Sequence, residues 1–226
     1  MNNTNEKFEK ETKFIRKLLN WYSLNNRNYF FWRKTKNPYY ILASEMMLQK
    51  TTTKQVQKIV KEFINRFPSS KKLAEASFKE IEELITPLGI EHKRAKRLKE
   101  SALLIEEKYA GKVPKNETDL LILPGVGQYI ANAVLCLAYG KQVPLLDTNI
   151  VRILERIFEI KSDKSRARTD KKLWNYVAKL SQGYKARDVN LALLDFGALV
   201  CSAKKPKCLV CPIKDFCAYI IKKKIN

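Results

Sequence analysis

Four cysteines stand within seventeen residues near the C-terminus, spaced Cys201-x6-Cys208-x2-Cys211-x5-Cys217. Thiolates ligate metals, and four of them in one short loop can complete the shell of a metal centre. The spacing alone leaves two occupants open, a structural zinc ion or an iron–sulfur cluster, although zinc ribbons more often carry two separated CxxC pairs and this loop has one. Cys136 lies in the apolar run Ala133–Leu137 and reads as a core residue. A second constellation is Leu123-Pro124-Gly125-Val126-Gly127. Its glycines allow a tight turn and close backbone approach, and the N–H groups opening the next helix can hold an anionic group such as phosphate. An ordinary turn between helices would have the same composition. The third is Asp147, in Val143-Pro144-Leu145-Leu146-Asp147-Thr148-Asn149. An aspartate between an apolar segment and a helix is suited to an N-cap. It is equally suited to electrostatic work as a carboxylate, and the two roles are compatible.

The elements that must position these groups read as helices nearly throughout. Phe8, Phe14, Ile15, Leu18, Leu19 and Tyr22 recur at helical spacing. Asn37-Pro38 starts a second helix carrying Ile41, Leu42, Met46, Met47 and Leu48, with proline in its first turn. A third follows Thr51-Thr52-Thr53 and ends near Phe67-Pro68. Short helices are expected near 71–76 and 78–85, then a break at Gly89 and a basic helix over about 91–110. Gly111-Lys112-Val113-Pro114 is a connector. Helices flank the glycine turn, the second running through Ala131 and Val134 to Ala138, and others are expected near 148–159, 169–181 and 187–200. No strand-period alternation persists, and the fold class expected is all-α.

The 226 residues suit one compact body or two small lobes. Forty-four Lys and Arg against 23 Asp and Glu give a net charge of +21 and a pI near 9.8. So large a charge opposes compaction by self-repulsion, and an anionic partner, nucleic acid first, is its natural explanation. Lys204, Lys205, Lys207 and Lys214 make the cysteine loop basic, for phosphate contact or simple solvation. No apolar run approaches the roughly 20 residues that span a bilayer. Met1–Lys13 is polar and lacks an apolar signal segment, so a reducing, cytoplasmic and nucleoid-associated location is expected, with cysteines as ligands rather than disulfides. His92 is the only histidine, which leaves no support for a histidine-rich metal centre or a Ser-His-Asp triad.

The glycine turn, which looks like a helix-hairpin-helix, an aspartate twenty residues beyond Gly127, and the cysteine spacing together resemble the endonuclease III superfamily of DNA repair enzymes. The resemblance runs from about Asn28 to Cys217. It implies a two-lobed helix-hairpin-helix DNA glycosylase fold: a helical barrel domain over residues 26–140, and a cluster domain of 1–25 plus 141–226 whose cysteines Cys201, Cys208, Cys211 and Cys217 hold a [4Fe–4S] cluster. It implies a monomer acting on double-stranded DNA with a mismatched or damaged base. Pro38–Thr51 looks like a segment shared by MutY-type adenine glycosylases and archaeal G:T mismatch thymine glycosylases. Where bifunctional members place a lysine nucleophile, Tyr129 stands here, and a phenol cannot form the Schiff base that drives strand cleavage.

Three features favour thymine or uracil opposite guanine over adenine opposite guanine or 8-oxoguanine. The chain ends nine residues after Cys217, without the further domain usual in MutY-type enzymes. Pro87–His92 lacks their tyrosines. Asp147-Thr148-Asn149 is nearer the thymine enzymes' Asp-Ala-Asn than Asp-Gly-Asn. Glu45 and Met47-Leu48-Gln49, in contrast, are MutY-like. By resemblance, Lys50 enters the space vacated by the flipped base, Ile90 wedges the opposite strand, Gln49 and the turn Leu123, Gly125, Val126 and Gly127 contact DNA, Asp147 stabilises the sugar cation, Asn149 supports it, Glu45 donates a proton or binds the base, and Tyr129 contacts the base or its phosphate. The bland alternatives are core packing for Ile90 and Tyr129, a phosphate contact for Lys50 and a surface carboxylate for Glu45. The rivals are a non-catalytic iron–sulfur DNA-binding module and an abasic-site lyase.

Overall fold

The computed structural model describes residues 2–225; Met1 and Asn226, the outermost residues of the expected cluster domain, lie outside them. The described residues are all-helical, with no strand. They form α1 (Asn2–Asn25), α2 (Phe31–Lys34), α3 (Pro38–Met47), α4 (Thr53–Arg66), α5 (Ser70–Glu75), α6 (Phe78–Ile85), α7 (Glu91–Tyr109), α8 (Glu117–Ile122), α9 (Gln128–Leu137), α10 (Thr148–Phe158), α11 (Lys171–Leu180), α12 (Ala186–Leu199) and α13 (Ala218–Ile225). The helix starts follow local chemistry. Asn37 Oδ1 accepts from the N–H groups of Tyr39 and Tyr40, with Pro38 just inside. Thr52 with Gln55, and Ser77 with Glu80, form reciprocal capping boxes on α4 and α6. Helices α2 and α13 leave no periodic mark in the sequence. One turn of helix carries no measurable periodicity, and α13 starts directly on the metal-ligand candidate Cys217, whose carbonyl accepts from Ile220 and Ile221.

The chain divides into two compact units, residues 28–141 and residues 1–27 with 142–226. In the first, α3 packs on α9 and on α7, and α5 and α6 pack on α7. Its core holds Ile41, Met47, Phe63, Leu73, Ile81, Ile85, Leu98, Ile105 and Val134, all essentially without exposure. Burying each such side chain contributes about 1.5–3 kcal/mol against leaving it in water. Cys136 belongs to this core, as expected. In the second unit α12 is central, flanked by α1 and α10, and α13 packs on α10. Phe14 meets Phe158 edge-on at 5.1 Å, and Trp21 meets Phe196 at 5.5 Å. Two buried carboxylates tie α1 and the segment after it in place. Glu11 accepts from Tyr176 and Lys179, and Asp195 accepts from the Arg27 backbone and guanidinium. Such pairing is what makes a buried charge tolerable. Among the described residues, no helix is long and apolar enough to cross a membrane.

Candidate active site and cluster loop

In the unit of residues 1–27 and 142–226, the approach to Asp147 is an extended segment held like a strand, although no strand is there to pair with it. Asn190 on α12 takes that role. Its Oδ1 accepts from the N–H of Leu145 at 2.9 Å, and its Nδ2 donates to the carbonyl of Val143 at 2.9 Å. Leu145 and Leu146 are fully buried and fix the segment from below. The chain then delivers Asp147 to the start of α10, where Oδ1 accepts from the N–H of Ile150 at 2.8 Å, a regular N-cap. Oδ2 accepts from Asn149 Nδ2 at 2.6 Å. The carboxyl is half-buried. Burial pushes its pKa above the usual aspartate value, and the bonds from Ile150 and Asn149 and the Arg152 charge partly offset this. The cap and the poised carboxylate are therefore the same group.

Asn149 is itself held. Arg152 Nη2 donates to Asn149 Oδ1 and to the carbonyl of Gly197, each at 2.8 Å, while Nε donates to the carbonyl of Cys201 at 2.8 Å. One guanidinium thus links Asp147, through Asn149, to the first cysteine of the loop. Gly197 lets α12 come this close: a Cβ there would stand 2.6 Å from that of Asn149. One turn further along α10, Arg156 donates to the carbonyls of Ser202 and Ala203 and stacks on Tyr219, fixing the start of the loop. Neither arginine was singled out from sequence, nor was Asn190. A lone asparagine inside Val189-Asn190-Leu191-Ala192-Leu193 is the signal that could have found it.

Cys201, Cys208, Cys211 and Cys217 line one pocket, with Ile157, Phe196 and Val200 as apolar wall. No three His, Cys, Asp or Glu side chains among the described residues are arranged to hold one metal ion. Burial and the other three thiols push the Cys211 thiol up to about 11; a cationic centre is what would let the four ionise together. His92 meets Glu82, Nδ1 to Oε1, at 3.0 Å.

In the unit of residues 28–141, α8, a turn and α9 form the hairpin. Leu123 and Val126 are 1% and 7% exposed, so their side chains anchor the turn and only its backbone is available to a ligand. Gly125 has φ +85°, and a Cβ on it would meet the Arg97 side chain at 2.7 Å, so the fold itself requires glycine. Gly127 differs. Its φ of −108° suits any residue and its Cβ position faces open space. Nothing within the chain demands glycine at this exposed N-cap, whereas close approach of an external group would. Tyr129 follows, half-buried, in the first turn of α9. Gln49 turns inward, its Nε2 donating to the Gly125 carbonyl at 2.8 Å. Glu45 is 5% exposed on α3, which overturns the reading of it as a surface carboxylate. Lys50 is exposed and Ile90 is 52% exposed, which overturns core packing for Ile90. Both have φ 55°, a left-handed conformation that costs a non-glycine residue on the order of 1–3 kcal/mol. The structure thus joins Asp147 with Asn149 and the cysteine loop in one unit, and Gln49 with the hairpin in the other.

Comparison with known proteins agrees with this arrangement. Residues 43–179 match the family model described as HhH-GPD superfamily base excision DNA repair protein, and residues 201–217 match the iron–sulfur binding domain of endonuclease III. The chain is similar to the thymine-DNA glycosylase of Aeropyrum pernix, 44% identical over 90% of this chain and 92% of the relative. It is also similar to the adenine DNA glycosylase of Buchnera aphidicola from Acyrthosiphon pisum, 36% identical over 94% of this chain but 61% of the relative. Among solved structures, a thermostable thymine-DNA glycosylase superposes with TM-score 0.90 at 36% identity, covering 96% of this chain and 99% of the other.

Proposed function

Because this chain belongs to the HhH-GPD superfamily of base excision DNA repair proteins, we propose that it is a monofunctional DNA glycosylase that excises thymine or uracil opposite guanine, working as a monomer on double-stranded DNA. The observation that carries this reading is the ordered, half-buried carboxylate of Asp147 in a chain that aligns over nine-tenths of its length with a thymine-DNA glycosylase. The target base must leave the stack before a side chain can reach its bond to sugar, and a mismatched base costs least to extract. Lys50 enters the gap and Ile90 presses the opposite strand. Gly127 and the α9 N-terminus grip the phosphate backbone. Cleavage builds positive charge on the deoxyribose, which the Asp147 carboxylate stabilises at no cost in reorganisation, since both its oxygens are already held. Glu45 donates a proton to the departing base or binds it, and Tyr129 contacts the base or its phosphate. Uracil lacks only the methyl group of thymine, so a pocket admitting one admits the other.

The test is base release from G:T, G:U, G:A and 8-oxoG:A duplexes, read as strand breaks after alkali. Release from G:T and G:U supports the proposal. Release of adenine alone would replace it with the MutY-type reading, for which Glu45 and Met47-Leu48-Gln49 speak. Binding without release from any duplex would leave a non-catalytic module. The same incubation without alkali should give intact strands, because no lysine stands at position 129.

Cys201, Cys208, Cys211 and Cys217 would hold a [4Fe–4S] cluster, whose part is to order the basic loop carrying Lys204, Lys205 and Lys207 against DNA phosphates. Purified protein should be brown, absorb near about 400 nm and carry about four irons. A colourless protein with one zinc would overturn this assignment.

A further inference from the structure

Three groups on α7 face three segments with proposed DNA contacts. Arg94, only 6% exposed, donates Nη1 to the carbonyl of Gly89 and Nη2 to the carbonyl of Gln49 and to Thr51 Oγ1, the latter two at 2.7 Å. Thr51 Oγ1 in turn donates to the Leu88 carbonyl at 3.2 Å. Gly89 and Gln49 are the residues immediately before Ile90 and Lys50, the two side chains held at φ 55°. The left-handed turn at each is therefore anchored, one bond upstream, to the same guanidinium. One turn on, Arg97 packs under Gly125, and Ser101 donates to the Pro124 carbonyl at 2.9 Å. Positions 94, 97 and 101 share one face of a helix.

We propose that Arg94 is a positioning residue that locks Lys50 and Ile90 into one two-pronged probe, and that α7 sets this probe in register with the hairpin. The inference rests on the reading that Lys50 and Ile90 enter the duplex. A lysine at position 94 would keep the charge but has no planar fork to reach the acceptors on both loops at once. The positive-φ residues would then relax toward ordinary conformations and separate.

The decisive measurement is base extrusion, followed by 2-aminopurine fluorescence next to a G:T mismatch in an Asp147→Asn background, in which cutting is too slow to interfere, with excision measured separately in protein that keeps Asp147. It is read beside single-turnover excision and duplex affinity. Arg94→Met should lower extrusion and the excision rate by roughly 100-fold, the usual consequence of a displacement near 1 Å, while affinity for matched duplex stays within about threefold. Arg94→Lys should not recover either quantity. A general loss of fold would instead reduce affinity along with extrusion, and recovery by lysine would assign the effect to charge; each overturns the proposal. Should Arg94→Met fail to fold, Arg94→Lys is read against the same criteria. Lys50→Ala and Ile90→Ala are the controls. If both leave extrusion intact, the reading of these residues as probes fails. If they abolish it and the Arg94 variants do not, only the assignment of Arg94 fails.

Discussion

Asp147→Asn should slow base release by roughly 10³-fold while duplex binding stays close to that of the parent. Asparagine is as good an N-cap as aspartate, so the bond from the Ile150 N–H survives and α10 still starts at Thr148. What disappears is the negative charge beside the developing sugar cation, together with the bond that Oδ2 accepts from Asn149 Nδ2. The pH dependence follows from the raised pKa. Because burial holds the folded-state value above that of the unfolded chain, the ionised, active form is lost as pH falls through a value higher than the usual 3.8, and this acid limb should be absent from the residual activity of the variant. The same shift makes the ionised group a burden on stability. The penalty is fully present above the folded pKa and disappears below the unfolded one. At neutral pH the variant should therefore unfold at no lower temperature than the parent. Equal losses of turnover, binding and thermal stability would mean that Asp147 is only a cap.

The second large effect is a gain of chemistry. Tyr129→Lys should give a protein that borohydride traps covalently on DNA and that nicks the strand without alkali, neither of which the parent should do. The amine attacks C1′ of the deoxyribose as the base departs, loses a proton, and the aminal so formed opens at its C1′–O4′ bond to give an imine. The resulting imine is reduced by borohydride to a stable amine, or drives elimination of the 3′ phosphate. Position 129 favours a neutral, nucleophilic amine, since it lies half-buried in the first turn of α9, where the positive end of the helix dipole disfavours an ammonium. A variant that still releases base but yields no trapped complex would place residue 129 away from the sugar, and the alignment of the hairpin with lysine-bearing enzymes would be wrong.

Groups that act through spacing along the chain were readable in advance. The four cysteines fall in one loop, the glycine turn joins two helices, and Asp147 caps the helix it precedes. Apolar spacing, with starts such as Asn37-Pro38 and Thr51-Thr52-Thr53, located eleven of the α-helices, because these are local signals. The connectors were not readable. Arg152 reaches 49 residues to Cys201, Asn190 reaches 45 to Leu145, and Arg94 reaches 45 to Gln49. In a chain with 44 basic residues, nothing marks which arginines are buried clamps and which are solvated. Gln49, expected at the DNA by resemblance, also donates its amide to the Gly125 carbonyl, a link across 76 residues that no local signal marks.

The division of the chain has a consequence for its synthesis. Residues 28–141 are contiguous and can collapse as soon as they leave the ribosome. Helix α1 emerges earlier still, yet α11, α12 and Asp215, which it touches, are all translated after residue 170. Its apolar stripe of Phe14, Ile15 and Leu18 must wait in solvent, or under a chaperone, for more than half of translation. The cysteine loop, Cys201 to Cys217, follows both α11 and α12 in the chain and is complete only after them. Any centre assembled in that loop would therefore form on a nascent protein whose helix α1 has only just found its cover.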